Sequence, residues 1–220
     1  MTQFVLYEYW RSSASYRVRI ALNLKQLPYL SMPIHLLKDG GEQHHAMYAE
    51  LNANELVPTL VDNDFDGEKL VLNQSLTIID YLDERFPRPR LTPVSGRERY
   101  LVTALAQDIA IDLHPINNLR VIQKLSRDFD LSEAGKTEWM QYWIELGFHA
   151  LEKKLIDVHG EYCVGDSISL VDVCLVPQLY NAERFGVDMS PFPIITSICS
   201  KLCEHPAFVA AEPERQPDAS

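Results

Sequence analysis

The pattern of hydrophobic and polar residues changes character along the chain. In residues 1–86, short apolar runs bounded by polar residues alternate with stretches in which apolar residues recur every three or four positions. The first pattern indicates buried strands and the second indicates amphipathic helices. Strands are predicted at 4–9, 29–35, 57–61 and 69–72, and helices at 15–27, 42–51 and 75–86. The turn residues at 62–67 separate the last two strands. This order, βαβ, then a helix, then ββα, predicts a thioredoxin-like α/β domain.

The strand signals stop at a proline-rich segment. Pro87-Arg88-Pro89-Arg90 is stiff, so residues 87–95 are a candidate linker. Beyond it, helical periodicity covers 96–124, 132–159, 169–185 and 194–204. We therefore expect an α/β domain at 1–86 and an all-α domain, a helical bundle, at 96–220. The polar tail at 212–220 is expected to fray.

One helix start carries a strong signal. Ser169 is followed three residues later by Asp172, which is an acidic version of the capping box. Ile168 and Val173 are spaced as the hydrophobic staple that accompanies such a box. The motif is expected to stabilise the helix rather than to take part in chemistry.

Composition and charge narrow the range of partners. The chain has 220 residues, is 46% hydrophobic and has a formal net charge of −11. Such a length supports a full core, and such a charge argues against nucleic acid or an anionic membrane as a general partner. The N-terminus lacks the pattern of a signal peptide, and no apolar window is long enough for a transmembrane helix. The four cysteines form no CxxC pair, which favours reduced thiols in a cytoplasmic protein and no metal site.

Two windows contain basic residues but no Asp or Glu. They span 9–37 and 113–127, and their basic residues are Arg11, Arg17, Arg19 and Lys25, then His114, Arg120, Lys124 and Arg127. Short windows fluctuate by chance, so these side chains could be solvated. Alternatively they line a shared cleft that holds carboxylates, for which the planar guanidinium is well suited.

The segment from Ser12 to Arg17 lies where a predicted strand gives way to a helix. The first amides of a helix have no intrahelical partner, and the helix dipole is positive there. The three serines of the segment add hydroxyl donors. Such a place stabilises an anion, including a thiolate. The serines could also serve only as helix caps, and the spacing leaves both interpretations open.

Two dipeptides add candidate binding groups. The bond between Val57 and Pro58 can be cis, because only X–Pro bonds take that form at low cost. A cis turn would present the Val57 backbone to an extended peptide ligand. Gln74 and Ser75 precede a predicted helix, where Ser75 as a cap could hold a carboxylate or simply cap the helix.

Several segments together resemble the motifs of zeta-class glutathione transferases. They are Trp10–Leu22, Leu56–Leu60, Asn73–Leu82, His114–Arg120, Val164–Asp166 with Leu175–Gln178, and Asn181–Met189. The resemblance extends over nearly the whole chain. It implies a glutathione transferase fold and a homodimer, with glutathione as cofactor. The class includes isomerases of maleylacetoacetate, from tyrosine and phenylalanine breakdown, and of maleylpyruvate. The implied activity is therefore glutathione-dependent cis–trans isomerisation of a small diacid.

The resemblance also implies roles for individual residues. Around the glutathione thiol it places Ser12, Ser13, Ser15 and Arg17. Along the rest of glutathione it places Gln43, Val57, Gln74 and Ser75, with His114 and Asn118 closing the site from the helical domain. As clamps for the diacid substrate it implies Arg11, Arg120 and Arg184.

One position departs from the class. A cysteine is common where this chain has Ala14, so stabilisation of the thiolate would rest on Ser12 and Ser13. Bacterial maleylpyruvate relatives tolerate a different residue there. Two further hypotheses are a general transferase or α-haloacid dehalogenase with the same site, and a non-catalytic binding module. The joint presence of serines, Arg17, Gln74 and Ser75 argues against the module.

Overall fold

The computed structural model describes residues 3–220, which divide into two compact units. One unit contains the residues up to Arg90 together with His205–Ser220, and the other contains Leu91–Glu204. The sequence placed 96–220 in a single helical domain, whereas its last residues pack with the first unit. Hydrogen bonds account for this packing, because the Asn23 side chain donates to the Ala207 carbonyl at 3.0 Å.

The first unit is a four-stranded mixed sheet with helices. Its elements are β1 (Phe4–Glu8), α1 (Ser13–Leu24), β2 (Tyr29–Pro33), α2 (Ala46–Ala49), β3 (Thr59–Phe65), β4 (Glu68–Asn73), α3 (Ser75–Arg85) and, near the C-terminus, α9 (Pro206–Val209). The strand order is β2-β1-β3-β4, with β1 parallel to β2 and antiparallel to β3, and β3 antiparallel to β4. This is the thioredoxin-like arrangement that the hydrophobic pattern predicted.

Two predicted elements of this unit are wrong in detail. The helix expected at 42–51 is a 3₁₀ turn at Glu42–His44 followed by the four-residue α2, because His45 between them is extended (φ −71°, ψ 140°). The turn expected at 62–67 is shorter. Asp66 and Gly67 alone have positive φ (53° and 87°), as a tight hairpin requires, and the strands continue on either side.

The second unit is helical. Its α-helices are α4 (Gly96–Gln107), α5 (Leu119–Phe129), α6 (Glu133–Leu155), α7 (Leu170–Arg184) and α8 (Pro193–Leu202). The continuous helix predicted at 96–124 is broken by a π-helical turn at Asp108–Leu113 and a 3₁₀ turn at His114–Asn117. Pro115 lies in this break, and its missing N–H interrupts the α-helical hydrogen-bond ladder.

The predicted capping box is present at the start of the buried helix α7. The Asp172 carboxylate accepts hydrogen bonds from the Ser169 amide and hydroxyl, both at 2.8 Å, and from the Cys163 amide at 2.9 Å. Burial raises the pKa of Asp172, and these donors act in the opposite direction. The motif has the structural role expected of it.

Within residues 3–220, no helix is long and apolar enough to cross a membrane. No group of three or more His, Cys, Asp or Glu side chains in the same range is placed to hold a metal ion. The thiols of Cys163, Cys174 and Cys199 are buried and that of Cys203 is exposed, and none is in a disulfide.

Candidate active site

The turn between β1 and α1 creates the predicted helix start. The Ser12 amide donates to the Tyr9 carbonyl at 3.0 Å, which reverses the chain, and Ser12 is the N-cap of α1. The Ser12 hydroxyl oxygen accepts a hydrogen bond from the Ser15 amide at 3.3 Å. Its own hydrogen therefore remains available to donate outward. Because the first turn of α1 contains no acidic residue, its positive dipole end is not neutralised.

Ser15 is more deeply buried than Ser12. Its side chain is fully buried, and its hydroxyl oxygen accepts a hydrogen bond from the Tyr9 amide at 3.5 Å. A fully buried hydroxyl has no exposed surface to offer a ligand. Ser15 thus supports the turn that presents Ser12, while Ser13 follows Ser12 in the first turn of the helix.

Arg17, in the second turn of α1, bonds to the first residue of α3. Its guanidinium is buried, and Nη1 donates to the Ser75 hydroxyl oxygen at 3.2 Å. Ser75 accepts this bond, so its own hydrogen is free to point elsewhere. The bond fixes the N-terminus of α3 relative to α1. The described contact of Arg17 is thus with Ser75, and its position around the glutathione thiol stays a prediction.

The N-terminus of α3 differs from the sequence interpretation. Ser75 was expected to cap the helix but is its first residue, and Gln74 occupies the cap position without a side-chain capping bond. Gln74 has φ 72° and ψ 114°, which a non-glycine residue rarely adopts. Such backbone strain is concentrated at functional sites. The exposed Gln74 side chain and the first amides of α3 remain available to a ligand.

Gln43, in the 3₁₀ turn before α2, and Val57, in the loop before β3, belong to the same unit. The Val57–Pro58 bond is cis, as expected. Gln43 is buried, and its Nε2 contacts His44 Nε2 at 3.0 Å, while its Oε1 has no hydrogen-bond partner within residues 3–220. A buried acceptor without a partner is uncommon and points to a ligand or solvent donor. Gly41 allows this placement, because a Cβ there would lie 2.4 Å from Gln43 Nε2.

The remaining predicted site residues are surface groups of the second unit, except Arg11. His114 begins the 3₁₀ turn before α5, and Asn118 is the N-cap of α5, accepting from the Arg120 amide at 3.2 Å. Arg120 is exposed, and Arg184, at the end of α7, is exposed with its guanidinium 4.9 Å from the Phe185 ring centroid. Arg11, in the first unit, is half-buried, and its guanidinium lies 5.1 Å from the Trp10 ring centroid.

Comparison with known proteins identifies the family. Residues 6–90 match the family model of the glutathione S-transferase N-terminal domain. The chain is 57% identical to a probable maleylacetoacetate isomerase of Vibrio cholerae, with both chains covered completely. A maleyl pyruvate isomerase described as a bacterial zeta-class glutathione transferase superimposes with a TM-score of 0.90. That protein is 41% identical, with 98% of this chain and 100% of the other covered. The chain belongs to the zeta class of glutathione transferases. A maleylacetoacetate isomerase from Anaeromyxobacter dehalogenans was solved with glutathione in its active site (TM-score 0.88, 38% identity, with 99% of this chain and 98% of the other covered).

The residues of this zeta-class chain fit glutathione chemically. Glutathione has two carboxylates, peptide N–H groups and a thiol. The first unit offers the N-termini of α1 and α3, each suited to a negative group, and the bond between Arg17 and Ser75 links the two helices. The buried Oε1 of Gln43 is an acceptor for an N–H donor. The first unit therefore has donors for the carboxylates and the thiolate and an acceptor for a peptide N–H. No acidic side chain lies in the first turn of α1 or of α3, where it would repel these negative groups.

The idea that both basic windows line a carboxylate-binding cleft is wrong for several of their members. Lys25 is buried in the zeta-class fold and pairs with Asp83 at 2.8 Å, and Arg19 pairs with Glu8 at 2.6 Å. Burial raises the pKa of Glu8, while Arg19 and a hydrogen bond from Ser31 act in the opposite direction. The partner of Arg19, Glu8, lies just before the window, and the partner of Lys25, Asp83, lies far along the chain. Both cations therefore stabilise the fold through buried ion pairs and are not available to a ligand.

The second window behaves similarly at its C-terminal end. Lys124 and Arg127 both pair with Asp128, the residue immediately after the window. These pairs lower the pKa of Asp128. Only Arg11, His114 and Arg120 remain from the two windows as groups that could face a ligand, besides the buried Arg17.

Proposed function

We propose that this zeta-class enzyme binds glutathione through the first unit and isomerises the cis double bond of a small maleyl diacid to trans. Maleylacetoacetate and maleylpyruvate are the two substrates that the relatives' names support. The observation that carries the proposal is the bond from Arg17, in the second turn of α1, to Ser75 at the N-terminus of α3, which links the two helices. The linked helices offer one positive helix end to a thiolate and a second to a carboxylate of the same molecule.

Glutathione supplies the thiolate nucleophile whose reversible addition to the double bond permits rotation. The protein's part is to keep that sulfur ionised. The amides at the start of α1 and the outward hydrogen of Ser12 stabilise negative charge, which lowers the pKa of a nearby thiol. Ser13, the first residue of α1, adds a second serine at the same helix start. Ala14 contributes no donor, so the helix start and these serines must be sufficient.

The rest of glutathione is held by groups on separate loops. Ser75 and Gln74 bind the γ-glutamyl carboxylate at the start of α3, and the Val57 backbone pairs with the peptide. Gln43 Oε1 accepts from an N–H group. His114 and Asn118 are also assigned to the cofactor, as the resemblance implies. Ser15 acts through the turn by which Ser12 is presented.

The diacid is bound by arginines. A guanidinium meets a carboxylate with two parallel hydrogen bonds, which orients the substrate as well as binding it. Arg11 is half-buried, whereas Arg120 and Arg184 are exposed. All three are assigned to substrate carboxylates, and their charge also favours the enolate-like electron distribution that develops during the reaction.

The clamp is tested by removing one arginine at a time. Arg11→Ala and Arg120→Ala are each expected to raise the KM of the diacid about tenfold, the effect of losing one charge-assisted bond. The Kd of glutathione, measured by calorimetry, should stay within about twofold. Arg127→Ala is the matched control, because Arg127 lies on the same helix as Arg120 and pairs with Asp128. An equal loss of glutathione affinity would show that the clamp assignment is wrong.

The proposal also includes a cytoplasmic homodimer. The dimer is supported by the class to which the chain belongs and by exposed apolar side chains at Val94 and Tyr100. The cytoplasmic location is supported by its four cysteines, which are all free thiols. Sedimentation velocity tests the assembly. A mass twice that of the chain supports the dimer, and the mass of one chain overturns it.

A further inference from the structure

The backbone of Trp10 is held on both sides. Its amide donates to the Asp218 carboxylate at 3.1 Å, and its carbonyl accepts from Arg19 Nη2 at 2.8 Å. Trp10 itself is buried. The two peptide groups that flank this residue are therefore fixed by side chains, one of which comes from the C-terminal end of the chain.

The C-terminal segment that supplies Asp218 is folded rather than frayed, contrary to the sequence-based expectation. Arg19 Nε donates to the Ala211 carbonyl at 3.0 Å, and the buried Gln216 side chain donates to the Ala210 and Glu212 carbonyls at 3.1 and 2.7 Å. The segment therefore has its own internal bonds as well as bonds to α1. Asp218 is delivered to Trp10 by an ordered backbone.

Arg11 immediately follows this clamped residue. The carbonyl held by Arg19 belongs to the peptide bond between Trp10 and Arg11, so the Arg11 backbone starts from a fixed point. Its guanidinium lies over the indole, 5.1 Å from the ring centroid. Both the origin and the direction of the Arg11 side chain thus depend on where Trp10 sits.

We propose that Asp218 is a positioning residue for Arg11, which it holds, through the Trp10 peptide, in the place from which the guanidinium binds a substrate carboxylate. The inference rests on the proposed role of Arg11 as a clamp. It gives the C-terminal residues of the chain a part in recognition of the diacid. A displacement of about 1 Å in a binding group can change rates by a large factor, so one hydrogen bond at this point is enough to matter.

The test uses Asp218→Ala, Asp218→Asn and the exposed control Arg215→Ala, which lies in the same segment and pairs with Glu212. The first measurement is hydrogen exchange at the Trp10 amide, which does not depend on activity. Asp218→Ala should speed this exchange about tenfold, because the bonded carboxylate is lost. Asp218→Asn should keep exchange slow, because its amide oxygen can accept the same bond. Unchanged exchange in Asp218→Ala would overturn the inference.

The second measurement separates substrate from cofactor. Asp218→Ala should raise the KM of the diacid about tenfold while the Kd of glutathione stays within about twofold, and Asp218→Asn should restore the KM. The double variant Arg11→Ala with Asp218→Ala should have the same KM as Arg11→Ala, since Asp218 acts through Arg11. Additive effects of the two substitutions, or an equal rise in the Kd of glutathione, would overturn the positioning role.

The single variant Arg11→Ala separates the proposed clamp role of Arg11 from the positioning role of Asp218. If Arg11→Ala raises the KM and Asp218→Ala does not, the clamp stands and the role of Asp218 is wrong. If Arg11→Ala leaves the KM unchanged, the clamp is wrong and the role of Asp218 falls with it.

Discussion

Glu8 and Arg19 form an ion pair of 2.6 Å in which both side chains are fully buried. The other groups of the pair are also satisfied, because Arg19 donates to the Trp10 and Ala211 carbonyls and Glu8 accepts from the Ser31 hydroxyl. The pair joins β1, α1 and the C-terminal segment. Arg19 also holds the Trp10 carbonyl, in the peptide bond that precedes Arg11, so the same bonds support both the fold and the proposed site.

Arg19→Met should destabilise the protein strongly. The substitution leaves the Glu8 carboxylate buried without its partner, and breaking a buried pair in this way typically costs about 3–5 kcal/mol in the free energy of unfolding. Denaturant unfolding of the variant measures this loss. Arg127→Met, which breaks an exposed pair with Asp128, is the control and should cost less than about 1 kcal/mol. Equal losses in the two variants would contradict the structural importance of the Glu8 pair.

Removal of the buried cap at α7 should also destabilise the fold. Asp172→Ala leaves three donors without their acceptor, namely the Ser169 amide and hydroxyl and the Cys163 amide. At about 1–3 kcal/mol for each unsatisfied buried group, a total loss of about 3 kcal/mol or more is expected. The exposed Asp188 accepts from the Ser190 amide and hydroxyl at 2.9 Å, and Asp188→Ala should cost less than about 1 kcal/mol. Chemical denaturation that ranks these two variants in the reverse order would refute the prediction.

The cysteines should differ sharply in reactivity. Burial raises the pKa of Cys163 and of Cys199 well above the ordinary value, so at about pH 8 both remain protonated and unreactive. Cys203 is exposed. Iodoacetamide should therefore modify one thiol per folded chain, as mass spectrometry can count, and Cys203→Ser should abolish the modification. Rapid labelling of a buried thiol in the folded protein is the contrary result.

Arg17 should affect the cofactor rather than the chemical step. Arg17→Met removes the donor that holds Ser75, so the Kd of glutathione should rise about tenfold, as expected for a lost charge-assisted bond. At saturating glutathione, kcat should change little. The control is Thr77→Ala, since Thr77 is exposed and lies on α3 with Ser75. A lower kcat with unchanged Kd would place Arg17 at the thiol after all.

Much of the first unit could be predicted because its signals are local. The apolar run at β1 and the serine at the start of α1 depend on neighbouring residues alone, and the structure contains both. The same holds for Ser169 and Asp172, whose spacing of three residues specifies the capping box. Such elements can be predicted because the residues that specify them lie close together in the sequence.

The features that could not be predicted from the sequence depend on partners that are far apart along the chain. Lys25 pairs with Asp83 and Arg19 bonds to Ala211, so an acid-free window in the sequence is not acid-free in space. The clamp on Trp10 comes from Asp218, far along the chain. Pro115 is a local signal for the break after α4, which helical periodicity alone does not predict.

The most direct test of the proposed function is turnover of the two maleyl diacids. Maleylacetoacetate and maleylpyruvate are each mixed with the purified protein, with and without glutathione, and the loss of the cis-enone absorbance is followed. We expect at least one compound to be converted to its trans isomer only when glutathione is present, with glutathione not consumed. No glutathione-dependent turnover of either compound would contradict the isomerase function.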